Sequence, residues 1–132
     1  SGLLEAAAST HHLIHLMASF SPLFPGITAG DSISPGQDQL TGTEGKSVTM
    51  KCNYQTEYSN PSNYVLLYWY KQDSDLEAPQ FILWKRAKGY TDEHIPDKQY
   101  ESRTTDTSTE LIIRELTLAD TALYYCAADT AQ

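Results

Sequence analysis

Leu118-Ala119-Asp120-Thr121-Ala122-Leu123-Tyr124-Tyr125-Cys126-Ala127 is the stretch whose reading decides the fold. Asp120 opens a corner, and beyond it the side chains alternate, so that Ala122, Tyr124 and Cys126 share one face of a strand. A tyrosine placed two residues before a cysteine and four after an aspartate can turn its phenol back onto the backbone of the corner. Working back along the chain, Cys52 stands 74 residues before Cys126, with Trp69 between them. That order and spacing fit two sheets stapled by a disulfide, with an indole packed against it. The spacing is too long for a C-x-x-C redox or zinc motif. A disulfide implies an oxidising compartment and contributes about 4 kcal/mol by loop closure. Two free thiols, or a cysteine nucleophile, is the alternative, but no histidine stands in a recognisable catalytic context.

Other strands follow from alternation and turn chemistry. Ser47-Val48-Thr49-Met50-Lys51-Cys52 puts Val48, Met50 and Cys52 on one buried face, with Gly42 and Gly45 marking the turn before it. Val65 to Gln72 is strand-like and places Trp69 inward; Gln80 to Lys85 supplies the next strand after the polar turn Asp73 to Pro79. Leu111, Ile113 and Leu116 are core positions of the run Glu110 to Leu116. Short strands at close intervals, with no persistent helical period, predict an all-β sandwich.

The chain of 132 residues has room for one domain. Seventeen acidic residues against nine basic ones give a formal charge of -8, which repels a nucleic-acid backbone unless a basic stripe intervenes. Lys85, Arg86 and Lys88 are the densest basic cluster and do not make such a stripe, so nucleic acid is not expected as a partner. Nine tyrosines against two tryptophans and three phenylalanines are the compositional outlier.

Residues 1–30 read differently from the rest. His11, His12 and His15 cluster there, beside a patchy apolar run from Leu13 to Ile27 that is too interrupted for a bilayer span of roughly 20 apolar residues. Small residues Thr28, Ala29 and Gly30 precede the polar start at Asp31, as at a leader cleavage site. Residues 1–30 are therefore expected to be leader-like and outside the domain, and 31–132 to be the folded unit.

Sites of other kinds are weak. The three histidines have helical spacing for a metal but no acidic or cysteine partner nearby. Asp73, Asp75 and Glu77, or Asp92 and Glu93 beside His94, are explained as solvated turn residues before they are explained as an acid–base pair or a calcium loop. No catalytic residue, metal or cofactor is expected, and the chain reads as a binding module rather than an enzyme.

Tyr68-Trp69-Tyr70-Lys71-Gln72, together with Leu118 to Ala127, resembles a T-cell receptor variable segment of the alpha or delta type, with a bony-fish likeness, over Asp31 to Ala128. The resemblance implies an immunoglobulin-like V-type β-sandwich in which Trp69, Asp120 and Tyr124 are the core signature. It implies that Gln72, Pro79 and Tyr125 face a partner variable domain of the beta or gamma type, Gln72 through an amide pair across the interface. It implies three recognition loops at about Thr56 to Tyr64, Arg86 to Thr91 and Ala127 onward. Tyr58, Asn60, Asn63, Tyr64, Arg86, Lys88, Tyr90 and Asp129 are then the antigen-contact candidates, a composition suited to large contact area at low rotamer cost.

Two departures from the family pattern stand out. No Phe-Gly-x-Gly joining stretch follows Cys126, so the segment reads as germline-like, the final strand is expected to be missing, and its neighbour is expected to keep an unpaired edge. The basic partner of the corner aspartate does not align cleanly: Arg103 is preferred and Lys98 is the alternative. The function implied is recognition of peptide presented by a histocompatibility molecule, at the cell surface, with the membrane reached only through a constant region. The competing expectation is a V-set innate receptor or adhesion module with a fixed ligand. An enzyme on the same scaffold, with Asp92 or His94 in its site, is kept for comparison.

Overall fold

The computed structural model describes residues 11–18, 32–36, 39–55, 64–74 and 76–131. Among them ten strands form: β1 (His11–Ala18), β2 (Ser32–Pro35), β3 (Gln39–Thr43), β4 (Val48–Gln55), β5 (Tyr64–Gln72), β6 (Gln80–Arg86), β7 (Glu93–His94), β8 (Tyr100–Thr104), β9 (Ser108–Ile113) and β10 (Leu123–Ala131). A 3₁₀ turn, Leu118–Asp120, precedes the last. One sheet runs β3-β1-β10-β5-β6-β7 and the other β2-β4-β9-β8. The result is the V-type sandwich.

Alternation produces the core. In β4, Met50, Cys52 and Tyr54 point inward while Lys51 and Asn53 face solvent. Across the sandwich, Trp69 of β5 and Tyr124 and Cys126 of β10 meet them, fully buried. The Cys52–Cys126 disulfide, S–S 2.07 Å, joins the two sheets. Leu111, Ile113 and Leu116 complete the core beneath it.

Gly42 lies within β3 rather than in the turn. A Cβ there would sit 2.3 Å from the Leu116 Cδ1, so the close approach of β3 to the core leaves room for a side chain only if Leu116 shifts.

The register of β5 on β6 shifts between Trp69 and Tyr70: Trp69 pairs with Leu83, but Tyr70 pairs with Phe81. Ile82 is the extra residue of a bulge. Because side chains alternate, that one-residue shift keeps both Ile82 and Leu83 buried and turns Phe81 outward beside Tyr70.

Two features differ from the sequence expectation at the edge of the larger sheet. First, β10 continues as strand to Ala131, antiparallel to β5 from Tyr64 onward, instead of becoming a loop at Ala127. Extended backbone in β5 offers it a ladder over nine pairs. Second, the backbone of β1 takes the first part of the edge that was expected to stay open. His15 to Ala18 pair in parallel with Leu123 to Cys126, and His11 to His15 pair antiparallel with Gln39 to Thr43. The backbone of β1 thus extends the sheet, satisfying edge groups that would otherwise face water.

Candidate functional site

The corner that decided the fold is closed by short bonds. The Tyr124 hydroxyl donates to the Asp120 carbonyl at 2.6 Å, and the Thr117 amide donates to the Asp120 carboxylate at 2.9 Å. Gln99 Nε2, not a basic side chain, donates to both Asp120 carboxylate oxygens at 3.1 Å. This corrects the expectation of Arg103 or Lys98. Arg103 faces Glu101 at 3.5 Å and Glu110 at 3.8 Å along its own sheet, and the Lys98 carbonyl accepts from Arg114 Nη1 at 2.9 Å. A neutral amide suffices because the buried carboxylate also has a backbone donor. Burial pushes the Tyr124 phenol well above its ordinary pKa, with Tyr100 and Asp120 adding to the effect.

On the outer face of β5, β6, β7 and β10 the aromatics gather. Tyr68 and Tyr70 stack with centroids 6.3 Å apart, Phe81 meets Tyr70 edge-on at 6.1 Å, and His94 stacks on Phe81 at 6.0 Å. Phe81 remains 42% exposed. At one margin the Tyr125 hydroxyl donates to Gln72 Oε1 at 2.7 Å, and Gln72 Nε2 donates to the Glu77 carbonyl at 2.6 Å. Pro79, half-buried, stands just before β6. Gln72, Pro79 and Tyr125 therefore fringe the aromatic patch, with the Gln72 amide engaged within the chain. Partial burial pushes the Tyr70 phenol above its ordinary pKa, with Tyr68 and Asp129 contributing. The sequence singles out neither Tyr70 nor Phe81 as a contact residue and weighs His94 only beside Asp92 and Glu93; Phe81 is turned to this side only by the bulge.

At the end of the sandwich where β6 turns into β7, Arg86 is the last residue of β6 rather than a loop residue. Its guanidinium lies 3.6 Å from Asp92 and 3.9 Å over the Tyr90 ring. Lys88 and Tyr90 project from the connection, both exposed. Lys88 adopts a left-handed φ of 64° and Gly89 one of 77°. Asp129 sits in β10 opposite Leu66, where a loop had been expected. Tyr58, Asn60 and Asn63, the Tyr64 side chain, Asp75 and the His11, His12 and His15 side chains lie outside the described residues.

The other groups weighed as sites are held by structural partners. Glu93 pairs with Lys85 at 2.9 Å, Asp73 with Lys71 at 3.3 Å, and Asp92 with Arg86. Among the described residues no group of three His, Cys, Asp or Glu side chains could hold a metal, and no helix is long and apolar enough to cross a membrane. What this surface offers is contact: an aromatic face on one sheet and a polar, tyrosine-bearing loop at one end.

Residues 36–132 match the family model "Immunoglobulin V-set domain". The T-cell receptor alpha chain V region CTL-F3 of Mus musculus is 35% identical over 105 residues, covering 77% of this chain and 72% of the relative. The T-cell receptor alpha chain V region RL-5 of Oryctolagus cuniculus is 35% identical over 100 residues, 76% of this chain and 69% of the relative. T cell receptor alpha variable 18 of Homo sapiens is 32% identical, covering 76% and 83%.

Proposed function

Given that the chain belongs to the immunoglobulin V-set family and, within it, to the T-cell receptor variable regions, we propose that it reads peptide presented by a histocompatibility molecule as half of a heterodimer. Domains of this family are receptor parts on the extracellular side that recognise antigen without catalysis. The finer reading is an alpha or delta chain, with residues 31–132 as the recognition unit, paired with a beta- or gamma-type variable domain. Its anchor at the cell surface is a constant region.

The observation that carries this reading is the aromatic face of β5, β6 and β10. Tyr68, Tyr70 and Phe81 form a contiguous apolar surface on one side of a twisted sheet, fringed by the polar Gln72 and Tyr125. An apolar centre with a polar rim, rich in tyrosine, is the anatomy of a protein–protein interface. Burying it against a like sheet leaves Lys88 and Tyr90, at the end of the sandwich, exposed on the surface that would meet ligand.

The test is association with a T-cell receptor beta-chain variable domain, followed by sedimentation. A 1:1 complex is expected, and Phe81→Glu weakens it at least about tenfold, because an uncompensated charge is then taken out of water. A folded chain that ignores beta- and gamma-type partners alike points instead to a V-set module with a fixed ligand.

A further inference from the structure

Tyr54 lies in the core strand β4, two residues after the disulfide, and is only 4% exposed. Its hydroxyl nevertheless reaches out of the core. It donates to the Thr105 carbonyl and accepts the Lys88 amide at 3.0 Å. Its own amide donates to the Thr107 carbonyl at 2.8 Å. One side chain therefore ties together two connections that are distant in sequence, Lys88–Gly89 between β6 and β7 and 105–107 between β8 and β9.

Neighbouring bonds make the tie a cluster. The Lys88 amide also donates to the Thr105 carbonyl at 3.0 Å, the Gly89 amide donates to Thr104 Oγ1 at 3.2 Å, and that hydroxyl donates to the Arg86 carbonyl at 2.8 Å. The second connection is rigid in itself: Thr105 Oγ1 accepts the amides of Thr107 at 3.2 Å and Ser108 at 3.0 Å. These bonds meet where Lys88 carries its left-handed φ, a conformation that is unfavourable for a non-glycine residue and persists only when its surroundings fix it. Burial, with Asp106 adding and the Lys88 amide opposing, raises the phenol's pKa, so the hydroxyl keeps its proton for Thr105 throughout the neutral range.

We propose that Tyr54 is a positioning residue for recognition: it locks Lys88 in its left-handed turn and joins 86–91 to 105–107, so that Lys88 and Tyr90 are presented in one fixed arrangement. The inference rests on the proposed function insofar as it gives these loops a ligand. The lock itself is a property of the free chain. Preorganisation of this kind spares the ordering cost at binding and shows mainly as a slower dissociation.

The experiment compares the full chain with its Tyr54→Phe variant by amide hydrogen exchange and thermal melting, with no ligand present. Loss of the hydroxyl is expected to speed exchange of Lys88 and Gly89 about five- to tenfold, the weight of one net hydrogen bond, while the Leu111 and Cys126 amides of the core keep their protection. Thr104→Val, which removes only the neighbouring bonds, gives a second reading should Tyr54→Phe fold poorly; it should loosen Gly89 more than Lys88. Unchanged exchange at Lys88 in Tyr54→Phe, or equal loosening of loop and core, overturns the lock. In the assembled heterodimer, faster dissociation of peptide–histocompatibility ligand from Tyr54→Phe supports the link to recognition. A wild-type heterodimer that binds no such ligand defeats the functional reading and leaves the lock standing.

Discussion

Two buried tyrosines hold backbone in place at opposite ends of this sandwich, and they differ in how far they reach. Tyr124 donates to the carbonyl of Asp120, four residues back; Tyr54 joins Lys88 and Thr105, 34 and 51 residues away. The first device is local and closes a corner on its own strand. The second is assembled only when three separate strands have docked. The chemistry is the same in both, a phenol of a buried tyrosine donating to a backbone carbonyl, but the consequence is not: one fixes the fold, and the other fixes the shape of a loop.

The comparison is broken most severely at the corner. Tyr124→Phe removes the donor to a buried carbonyl and should cost about 2 kcal/mol of unfolding free energy, measured by denaturant titration. Tyr54→Phe should cost less globally, its effect being confined to exchange at Lys88 and Gly89. Equal global losses would mean that both tyrosines are merely core residues.

Raising the pH acts on the corner without mutation. Burial pushes the Tyr100 phenol up to about 12, and Tyr124 is raised further in the same neighbourhood. A phenol whose folded pKa lies above its unfolded value of 10.0 contributes stability that is intact below pH 10 and is lost as pH climbs through the folded value. Melting temperature should therefore be insensitive to these phenols from neutral pH to about 10 and then fall towards 12. Tyr100→Phe should blunt the fall; a variant that declines as steeply as the parent contradicts the assignment.

The smallest effect separates Gln99 from Arg103. Gln99→Ala leaves the buried Asp120 carboxylate with its backbone donor alone and should cost about 1.5 kcal/mol. Arg103→Ala, whose side chain is 63% exposed, should change stability by less than about 0.5 kcal/mol. The reverse order in paired melts would restore a basic partner to the corner.

The same contrast of local and distant explains what the sequence made legible. Cys52, Trp69, Asp120, Tyr124 and Cys126 could be read because alternation and short offsets along single strands encode them. The bulge beside Trp69 could not, since it depends on how β6 settles against β5, and without it Phe81 would be assigned to the wrong face. Gln99 in place of Arg103 follows from where the segment before β8 passes the corner, which no local pattern specifies. Pairing of β1 with β10 joins residues more than a hundred positions apart, and the extension of β10 past Ala127 needs β5 as a template. Of the proposed contacts, Lys88 and Tyr90 flank Gly89, which marks a turn, and the family resemblance is what implies a recognition loop there, whereas the tyrosine beneath them reads simply as core.

The most direct test of the account is a titration of isotope-labelled chain with a T-cell receptor beta-chain variable domain, following backbone and aromatic resonances residue by residue. Perturbation is expected to concentrate at Tyr68, Tyr70, Phe81 and Tyr125, with Lys88, Gly89 and Tyr90 unmoved. Perturbation centred on Lys88 to Tyr90, with the aromatic face silent, would contradict it.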